Sequence, residues 1–183
     1  LEMNDTYFYI PESKSERLVP VQTFNSGLSY NTNITENDSW VIFTDDRFNV
    51  NYPIEGERVF FAGGCGLSST VKDYYNFLSI FINEGKFKGK QIIEKTTNDL
   101  IFKNQLPDEF NTSIGLVFGI TSKNDEWFNE GKTEGVLHWG GYWNTNFFAD
   151  NKNKLVALIY KQTQNTSENS WRKFREIIYQ SMD

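Results

Sequence analysis

Residues 155–160, Leu-Val-Ala-Leu-Ile-Tyr, form the longest unbroken apolar run of the sequence. The run is far shorter than the roughly 20 apolar residues that span a bilayer as a helix. Its apolar residues do not alternate with polar ones, which predicts a strand that is covered on both faces and central in its sheet. The 146–149 segment is a candidate neighbour for one edge only. We therefore expect the other edge of a strand at 154–161 to be unpaired within this chain or paired by another chain.

The composition is that of one ordinary globular domain with an aromatic core. The chain has 183 residues, of which 38% are apolar, 16% aromatic and 23% charged, and domains usually have about 100–200 residues. A chain so rich in Phe and Tyr suits strands at least as well as helices. The net charge of −6 disfavours binding to nucleic acid or to an anionic membrane surface. One Cys and one His exclude a disulfide framework and a metal site rich in either residue.

The pattern along the chain divides this domain into four segments. Residues 1–56 are an irregular, polar lead-in with short strands or turns. Residues 57–105 contain a glycine-rich turn and two helices, the first with apolar residues at steps of three and four. Residues 114–163 carry antiparallel strands, and residues 167–182 form a C-terminal helix. The predicted fold class is α+β, an antiparallel sheet of three or four strands flanked by helices.

Three stretches of the sequence resemble segments of one known family and occur in the family's order. Residues 1–8 are similar to the family's Leu-Gly-Met segment, with Glu2 in place of Gly. Residues 63–93 are similar to its glycine-rich turn and the helix that follows. Residues 138–150 are similar to its Trp-Gly-Gly motif and the strand after it. The family is that of the serine β-lactamases and penicillin-binding proteins, which includes class C β-lactamases, D-alanyl-D-alanine carboxypeptidases and esterases. The resemblance implies the C-terminal part of an incomplete β-lactamase/transpeptidase-like fold.

The resemblance assigns the family's third catalytic motif to Trp139, Gly140 and Gly141. In the family this motif lies on an inner strand beside the nucleophile, and the substrate binds along the strand edge, where glycines let it approach the backbone. The backbone N–H of the next residue, Tyr142, is then one of the two oxyanion-hole donors. His138, the only histidine, allows a second frame, His-Trp-Gly, and is a candidate general base.

Further candidate substrate-binding residues follow the motif, namely Trp143, Asn144 and Thr145. Aromatic side chains here suit the lining of an acyl or leaving-group pocket. Phe147 and Phe148 are candidates for the same lining, although packing within the sheet explains them equally well. The resemblance implies no metal and no cofactor.

The family's other two motifs, Ser-x-x-Lys and Tyr-x-Asn, lie upstream of the Leu-Gly-Met-like segment, which here is at residue 1. The resemblance therefore implies that the expected nucleophile is missing from this chain. Other Ser-x-x-Lys matches occur at 69–72 and 170–173, and a Tyr-x-Asn match at 74–76. A serine and a lysine one helical turn apart have the spacing that nucleophile activation needs. Chance also produces such matches, and a helix cap by Ser69 or Thr70 explains the first one.

The resulting hypothesis is that this chain is part of a serine hydrolase that acts on a β-lactam, a D-Ala peptide or an ester through an acyl-enzyme. The chain alone is expected to be inactive. Its expected partners are a small-molecule or cell-wall peptide substrate and the missing N-terminal half of the same domain, with self-association through the open sheet edge. Family members are usually exported, which predicts a periplasmic or cell-surface location. Two alternatives stay open: a free-standing hydrolase that uses Ser69 and Lys72, and a non-catalytic module that binds cell-wall peptide or sugar.

Overall fold

The structure, a computed structural model, describes residues 1–24, 39–44, 49–107, 109–110, 112–123, 133–164 and 170–182. Its elements are, in chain order, a 3₁₀-helix (Glu12–Arg17), β1 (Gln22–Phe24), β2 (Trp40–Ile42), α1 (Val71–Ile82), β3 (Lys86–Phe87), β4 (Lys90–Gln91), α2 (Lys95–Ile101), β5 (Gly119–Ile120), β6 (Leu137–Gly140), β7 (Asn146–Asp150), β8 (Leu155–Ile159), β9 (Thr163–Gln164) and α3 (Ser170–Gln180). The predicted α+β fold class is confirmed.

A four-stranded antiparallel sheet with the spatial order β5-β6-β7-β8 forms the centre of the fold. Strands β7 and β8 are joined by a hairpin turn over residues 151–154. The first of the strands predicted within 114–163, β5, has only two residues, because the chain turns just before it, where the Gly115 N–H donates to the Phe118 carbonyl oxygen at 2.8 Å. As a result, β5 covers little of its neighbour β6.

Helix α1 packs on one face of this sheet, and its sequence provides both a cap and an apolar face. The Thr70 hydroxyl accepts a hydrogen bond from the Asp73 N–H at 3.2 Å, and the Asp73 charge suits the N-terminal end of the helix dipole. Leu78 and Phe81 are buried and form one core cluster with Phe147 of β7. The predicted first helix is confirmed, and α2 confirms the second.

Helix α3 packs on the opposite face and completes a three-layer arrangement. The fully buried Phe148 stacks on Tyr179 with ring centroids 5.4 Å apart, and Trp171 and Phe174 pack on the same cluster. This helix confirms the predicted C-terminal helix from residue 170 onward, and residues 167–169 of that prediction lie outside the described residues.

Strand β8 has apolar side chains on both faces, as its sequence predicts. Val156 and Leu158 pack on the cluster under α1, whereas Leu155 and Ala157 pack on the cluster under α3. One edge of β8 pairs with β7 along its whole length, and no strand pairs with the other edge among the described residues. The expectation of an incomplete sheet is thus confirmed for this part of the chain, in which the strand expected to be central lies at the margin.

A second sheet of three short strands, with the order β2-β1-β9, was not predicted. Strand β1 is antiparallel to β2 and parallel to β9. The Gln22 N–H donates to the Gln162 carbonyl oxygen at 2.8 Å, so β1 lies beside the continuation of β8. Strands of two or three residues contain too little periodicity to be recognised in a sequence. The lead-in predicted over 1–56 therefore contributes two strands to the fold.

Candidate active site

Backbone hydrogen bonds fix which edge each residue of β6 faces. The Gly141 N–H donates to the Thr145 carbonyl oxygen at 2.7 Å, so odd-numbered residues of this strand face β7. The Val136 carbonyl oxygen accepts from the Thr121 N–H at 3.0 Å, so even-numbered residues face β5. Successive backbone groups of a strand point to opposite edges, and both observations agree with this alternation.

Strand β5 is too short to cover the edge that the even-numbered residues face. In the part of the chain that the structure describes, it pairs only with Leu137 and His138. Alternation directs the N–H of Gly140 to the same edge beyond the end of β5. Tyr142 follows in the turn in which the Asn144 N–H donates to the Gly141 carbonyl oxygen at 3.0 Å. We call residues 139–142 the site edge. A backbone edge of this kind binds an extended or carbonyl-bearing ligand through its N–H and C=O groups.

Side chains of the turn lie close to both glycines of the site edge. A β-carbon at Gly141 would lie 2.3 Å from Thr145 Oγ1, and one at Gly140 would lie 2.9 Å from Asn146 Oδ1. Both contacts are to the ends of side chains, so a larger residue at either position would require Thr145 or Asn146 to move its side chain. The sequence predicts glycines here so that a ligand can approach the backbone, and the structure adds this intramolecular reason.

Two exposed aromatic side chains flank the glycines. Trp139 is 51% exposed and Tyr142 is 59% exposed. The Tyr142 ring meets Trp143 edge-on with centroids 4.8 Å apart, and Trp143 meets Phe43 in the same way at 5.5 Å. The site edge therefore presents aromatic surface to solvent, supported from behind by Phe43.

The other predicted substrate-binding residues hold the turn in place. Asn144 has φ +66°, a left-handed conformation that Asn adopts more readily than most residues. Its side-chain amide donates to Thr163 Oγ1 at 3.0 Å, and the Thr163 N–H donates to the Trp143 carbonyl oxygen at 3.1 Å. These bonds join the turn to β9. Sequence reasoning missed Thr163 and Phe43, since neither belongs to a motif and both are distant along the chain.

His138 and Trp139 lie on opposite faces of the sheet, because side chains of successive strand residues alternate. Val136 belongs to the cluster under α3, which places His138 on that face and Trp139 on the face of α1. A β-carbon at Gly119 would lie 2.8 Å from His138 Cε1. The imidazole therefore packs directly over the glycine of β5, and the structure does not bring it together with Trp139.

Ser69 belongs to a network that anchors the start of the chain to α1. The Asp5 N–H and the Thr6 hydroxyl both donate to Asp73 Oδ2, at 2.7 Å and 2.9 Å, and Ser69 Oγ lies 2.8 Å from Thr6 Oγ1. Within the described ranges Lys72 is not among the hydrogen-bond partners of Ser69 and instead lines a groove beside β8. This Ser-x-x-Lys match is therefore not assembled as a nucleophile pair.

The remaining motif matches also occupy structural positions. Ser170 Oγ accepts from Lys161 Nζ at 2.7 Å, a contact that ties the start of α3 to the end of β8. Tyr74 packs on Phe147 with ring centroids 5.3 Å apart, and burial raises the pKa of the Tyr74 hydroxyl. A tyrosine in such surroundings favours its neutral form and serves the core.

Neither a candidate metal site nor a candidate membrane-spanning helix was found among the described residues. No group of three or more His, Cys, Asp or Glu side chains there is arranged to hold a metal ion. No described helix has the length and apolar character that crossing a membrane requires.

The chain belongs to the Beta-lactamase family, whose model matches residues 1–179. This match confirms the resemblance to serine β-lactamases and penicillin-binding proteins. No protein among the curated sequences matches the chain.

Solved structures of related folds are about twice as long as this chain. Simvastatin synthase (LovD) from Aspergillus terreus superposes with a TM-score of 0.72 at 19% identity, over 97% of this chain and 46% of that one. EstCE1, a hydrolase with promiscuous acyltransferase activity, gives 0.70 at 14% identity over 97% and 47%. A penicillin-binding protein homologue from Caulobacter crescentus gives 0.57 at 16% identity over 94% and 47%. At these identities the likeness concerns the fold, and the chain spans about half of each neighbour.

Proposed function

We propose that this chain is part of an acyl-transferring serine hydrolase, in which it supplies the strand along which the substrate binds and one donor of the oxyanion hole. The observation that supports this proposal is the position of Tyr142 directly after the edge of β6 that β5 leaves uncovered among the described residues, where the family resemblance expects an oxyanion-hole donor. The nucleophile and the second donor come from polypeptide outside residues 1–183. Membership of the Beta-lactamase family supports the reaction class.

The proposed role follows from the charge that develops during acyl transfer. When a serine hydroxyl attacks a carbonyl carbon, the carbonyl oxygen becomes an oxyanion. A backbone N–H that is held in position, as that of Tyr142 is held by the Trp143–Thr163 and Gly141–Thr145 bonds, stabilises this oxygen without reorganising. One such donor contributes roughly 10²–10³ in kcat. A donor without a nucleophile forms no acyl-enzyme, so residues 1–183 alone are expected to be inactive.

The chemistry of the site edge favours a neutral ester over the other substrates of the family. β-Lactams and D-Ala peptides carry a carboxylate next to the bond that breaks, and a cationic side chain is the usual partner of a carboxylate. Residues 137–146 contain no Lys or Arg, and His138 packs over Gly119. The exposed rings of Trp139 and Tyr142 suit an apolar acyl or leaving group.

The test is an activity assay on residues 1–183 with a nitrophenyl ester and a chromogenic cephalosporin, together with labelling by a fluorophosphonate. We expect no turnover and no label. Turnover or labelling that is abolished by Ser69→Ala or Ser170→Ala would contradict the proposal and would show a nucleophile within the chain. Activity that survives both substitutions would be traced by mass spectrometry of the labelled peptide.

The same exposed aromatic pair supports a second candidate function, a non-catalytic module that binds cell-wall peptide or sugar. Sugar rings stack on exposed aromatic faces, and Trp139 offers one beside a backbone edge. Binding of a muropeptide by the full-length gene product, without turnover of any ester, would favour this function. Either function agrees with the export that family resemblance suggests.

A further inference from the structure

The turn that contains Tyr142 is closed by two backbone hydrogen bonds. The Asn144 N–H donates to the Gly141 carbonyl oxygen at 3.0 Å, the bond of a four-residue turn over 141–144 in which Tyr142 is the second residue. The Gly141 N–H donates in turn to the Thr145 carbonyl oxygen at 2.7 Å. Both bonds are local. They set the shape of the turn, whereas bonds to other segments set how firmly it is held.

Thr163 of β9 makes two bonds that join this turn to a distant segment of the chain. Its N–H donates to the Trp143 carbonyl oxygen at 3.1 Å, and its Oγ1 accepts a hydrogen bond from the Asn144 side-chain amide at 3.0 Å. The first bond uses the backbone, so every residue except proline can form it. The second bond requires a side-chain acceptor at this position. The Thr163 hydroxyl is therefore the part of the attachment that depends on the identity of the residue.

The backbone of Asn144 explains why this side-chain bond matters. Asn144 has φ +66°, and a residue with a β-carbon persists in this left-handed region where the surrounding structure fixes it. Its side chain is fixed from two directions, since its amide donates to Thr163 Oγ1 and its Oδ1 accepts from Asn146 Nδ2 at 3.4 Å. These side-chain bonds join β7 to β9 across the turn. Loss of the Thr163 acceptor would remove one of the two.

Through β9 the turn is attached to the second sheet. Thr163 pairs with Gln22 of β1 in the parallel register. Phe43, which directly follows β2, is buried and meets the Trp143 ring edge-on with centroids 5.5 Å apart. The second sheet thus contacts the turn through a hydrogen-bonded strand and through a buried ring. Sites whose residues are fixed by a supporting layer of hydrogen bonds and packing hold their geometry most accurately.

We infer that Thr163 is a positioning residue of the proposed oxyanion hole, whose hydroxyl holds the turn so that the Tyr142 N–H stays in place. The inference rests on the proposed function, which makes this N–H a donor to the oxyanion. A donor stabilises the developing charge best when it is in position before the reaction starts. Thr163 acts through Asn144, so its loss affects the transition state more than the binding of substrate.

Ester kinetics of the full-length gene product test the inference. Thr163→Val removes the hydroxyl and keeps the N–H and the branched shape; it is expected to lower kcat about 10-fold and to leave KM within about twofold. Thr163→Ser keeps the hydroxyl and is expected to retain kcat within about twofold.

Thr23→Val is the matched control, because Thr23 is also half-buried and lies on β1 of the same sheet, opposite Gln164. Its kcat is expected to stay unchanged. An equal loss of kcat in Thr23→Val would show a general effect on the sheet and would overturn the inference. A rise in KM at constant kcat in Thr163→Val would show contact with the substrate and would also overturn it.

A second measurement does not depend on catalysis. The order parameter of the Tyr142 amide is obtained from ¹⁵N relaxation of the same protein labelled at tyrosine, and its signal is identified by its loss in Tyr142→Phe. The value is expected to be about 0.85 in the unchanged protein and in Thr163→Ser, and below about 0.6 in Thr163→Val.

An unchanged order parameter in Thr163→Val would overturn the inference, whatever the kinetics show. Loss of order at Tyr142 with kcat unchanged would overturn it as well. Loss of order in Thr163→Val, in a protein that turns over no ester in its unchanged form, would uphold the role of Thr163 in holding the turn and contradict the proposed function alone.

Discussion

The site edge and the outer edge of β8, where Val156 and Leu158 direct their N–H and C=O groups away from β7 (the β8 edge), belong to the same four-stranded sheet. The two edges present the same backbone groups, yet their surroundings differ. At the site edge Gly140 and Gly141 are exposed, and the rings beside them face solvent. At the β8 edge the outward groups of Val156 and Leu158 lie in a groove between two helices. A hydrated, glycine-lined edge can release and rebind a small molecule, whereas an apolar groove gains most from permanent burial.

Side chains therefore decide what an open strand edge binds, because the hydrogen-bonding capacity of the backbone is the same in both places. Natural edge strands are usually protected by charge, by brevity or by a covering element. The site edge is protected by brevity, since it extends only a few residues past β5. The β8 edge has no such protection in the described part of the chain, so it is the side of this sheet more prone to pair with another strand.

The largest expected effect concerns β7, which lies between the two edges. Phe148 is fully buried, so Phe148→Ala is expected to lower the free energy of unfolding by about 3–5 kcal/mol. Urea denaturation measures this loss. Phe60→Ala, at a residue that is 68% exposed, is the control and is expected to change stability by less than about 0.5 kcal/mol. Similar losses for both variants would mean that the core is not where the structure places it.

The second prediction isolates the site edge. Tyr142→Pro removes the N–H that the proposed oxyanion hole uses. In the full-length gene product it is expected to lower kcat by roughly 10²–10³-fold. Tyr142→Ala keeps the N–H and removes only the ring, so it is expected to change kcat far less. Circular dichroism of both variants checks that they fold. Equal losses in kcat would assign the role to the ring and not to the backbone.

The third prediction contrasts the two sides of β8 in residues 1–183 alone. Ala157→Pro removes an N–H that pairs with β7 and is expected to cost about 1–3 kcal/mol of stability, because it leaves a buried carbonyl without its donor. Leu158→Pro removes an outward N–H, and proline is tolerated on edge positions of this kind. Thermal unfolding of both variants is the measurement. A larger loss for Leu158→Pro would show that the assignment of edges is reversed.

The smallest expected effect is a pH dependence on the α3 side. The Tyr179 hydroxyl donates to Asp150 Oδ2 at 3.0 Å, and burial, followed by the charge of Asp150, raises the pKa of Tyr179. The folded pKa lies above the unfolded value of about 10, so this stabilisation is complete below pH 10 and is lost as the pH rises above it. Urea titrations between pH 9 and 11 should show the decline, and Tyr179→Phe should flatten it. An unchanged slope in that variant would contradict this assignment.

Elements with enough length to show periodicity were predicted from the sequence. Helices α1 and α3 repeat an apolar pattern at helical steps, strand β8 is an unbroken apolar run of five residues, and the cap at Thr70 is encoded locally. Strands β1 and β9 were missed, because two or three residues contain no period and their pairing joins segments about 140 residues apart. Likewise, the glycines of the site edge were recognisable as a motif, whereas the Asn144–Thr163 bond that supports them was not.

The sequence by itself determined that residues 155–159 are covered on both faces, since only burial on both sides explains an apolar run without alternation. It also identified residues 139–141 as a motif, because the Trp-Gly-Gly run is recognisable from the sequence alone. Only the tertiary structure decided which backbone groups face an open edge. That outcome depends on where β5 ends, and β5 ends because the turn at Gly115–Phe118 directs the chain away from β6. The hydrogen bond that closes this turn is local, but residues 114–121 also suit a continuous strand, so their pattern alone does not decide where the pairing with β6 stops.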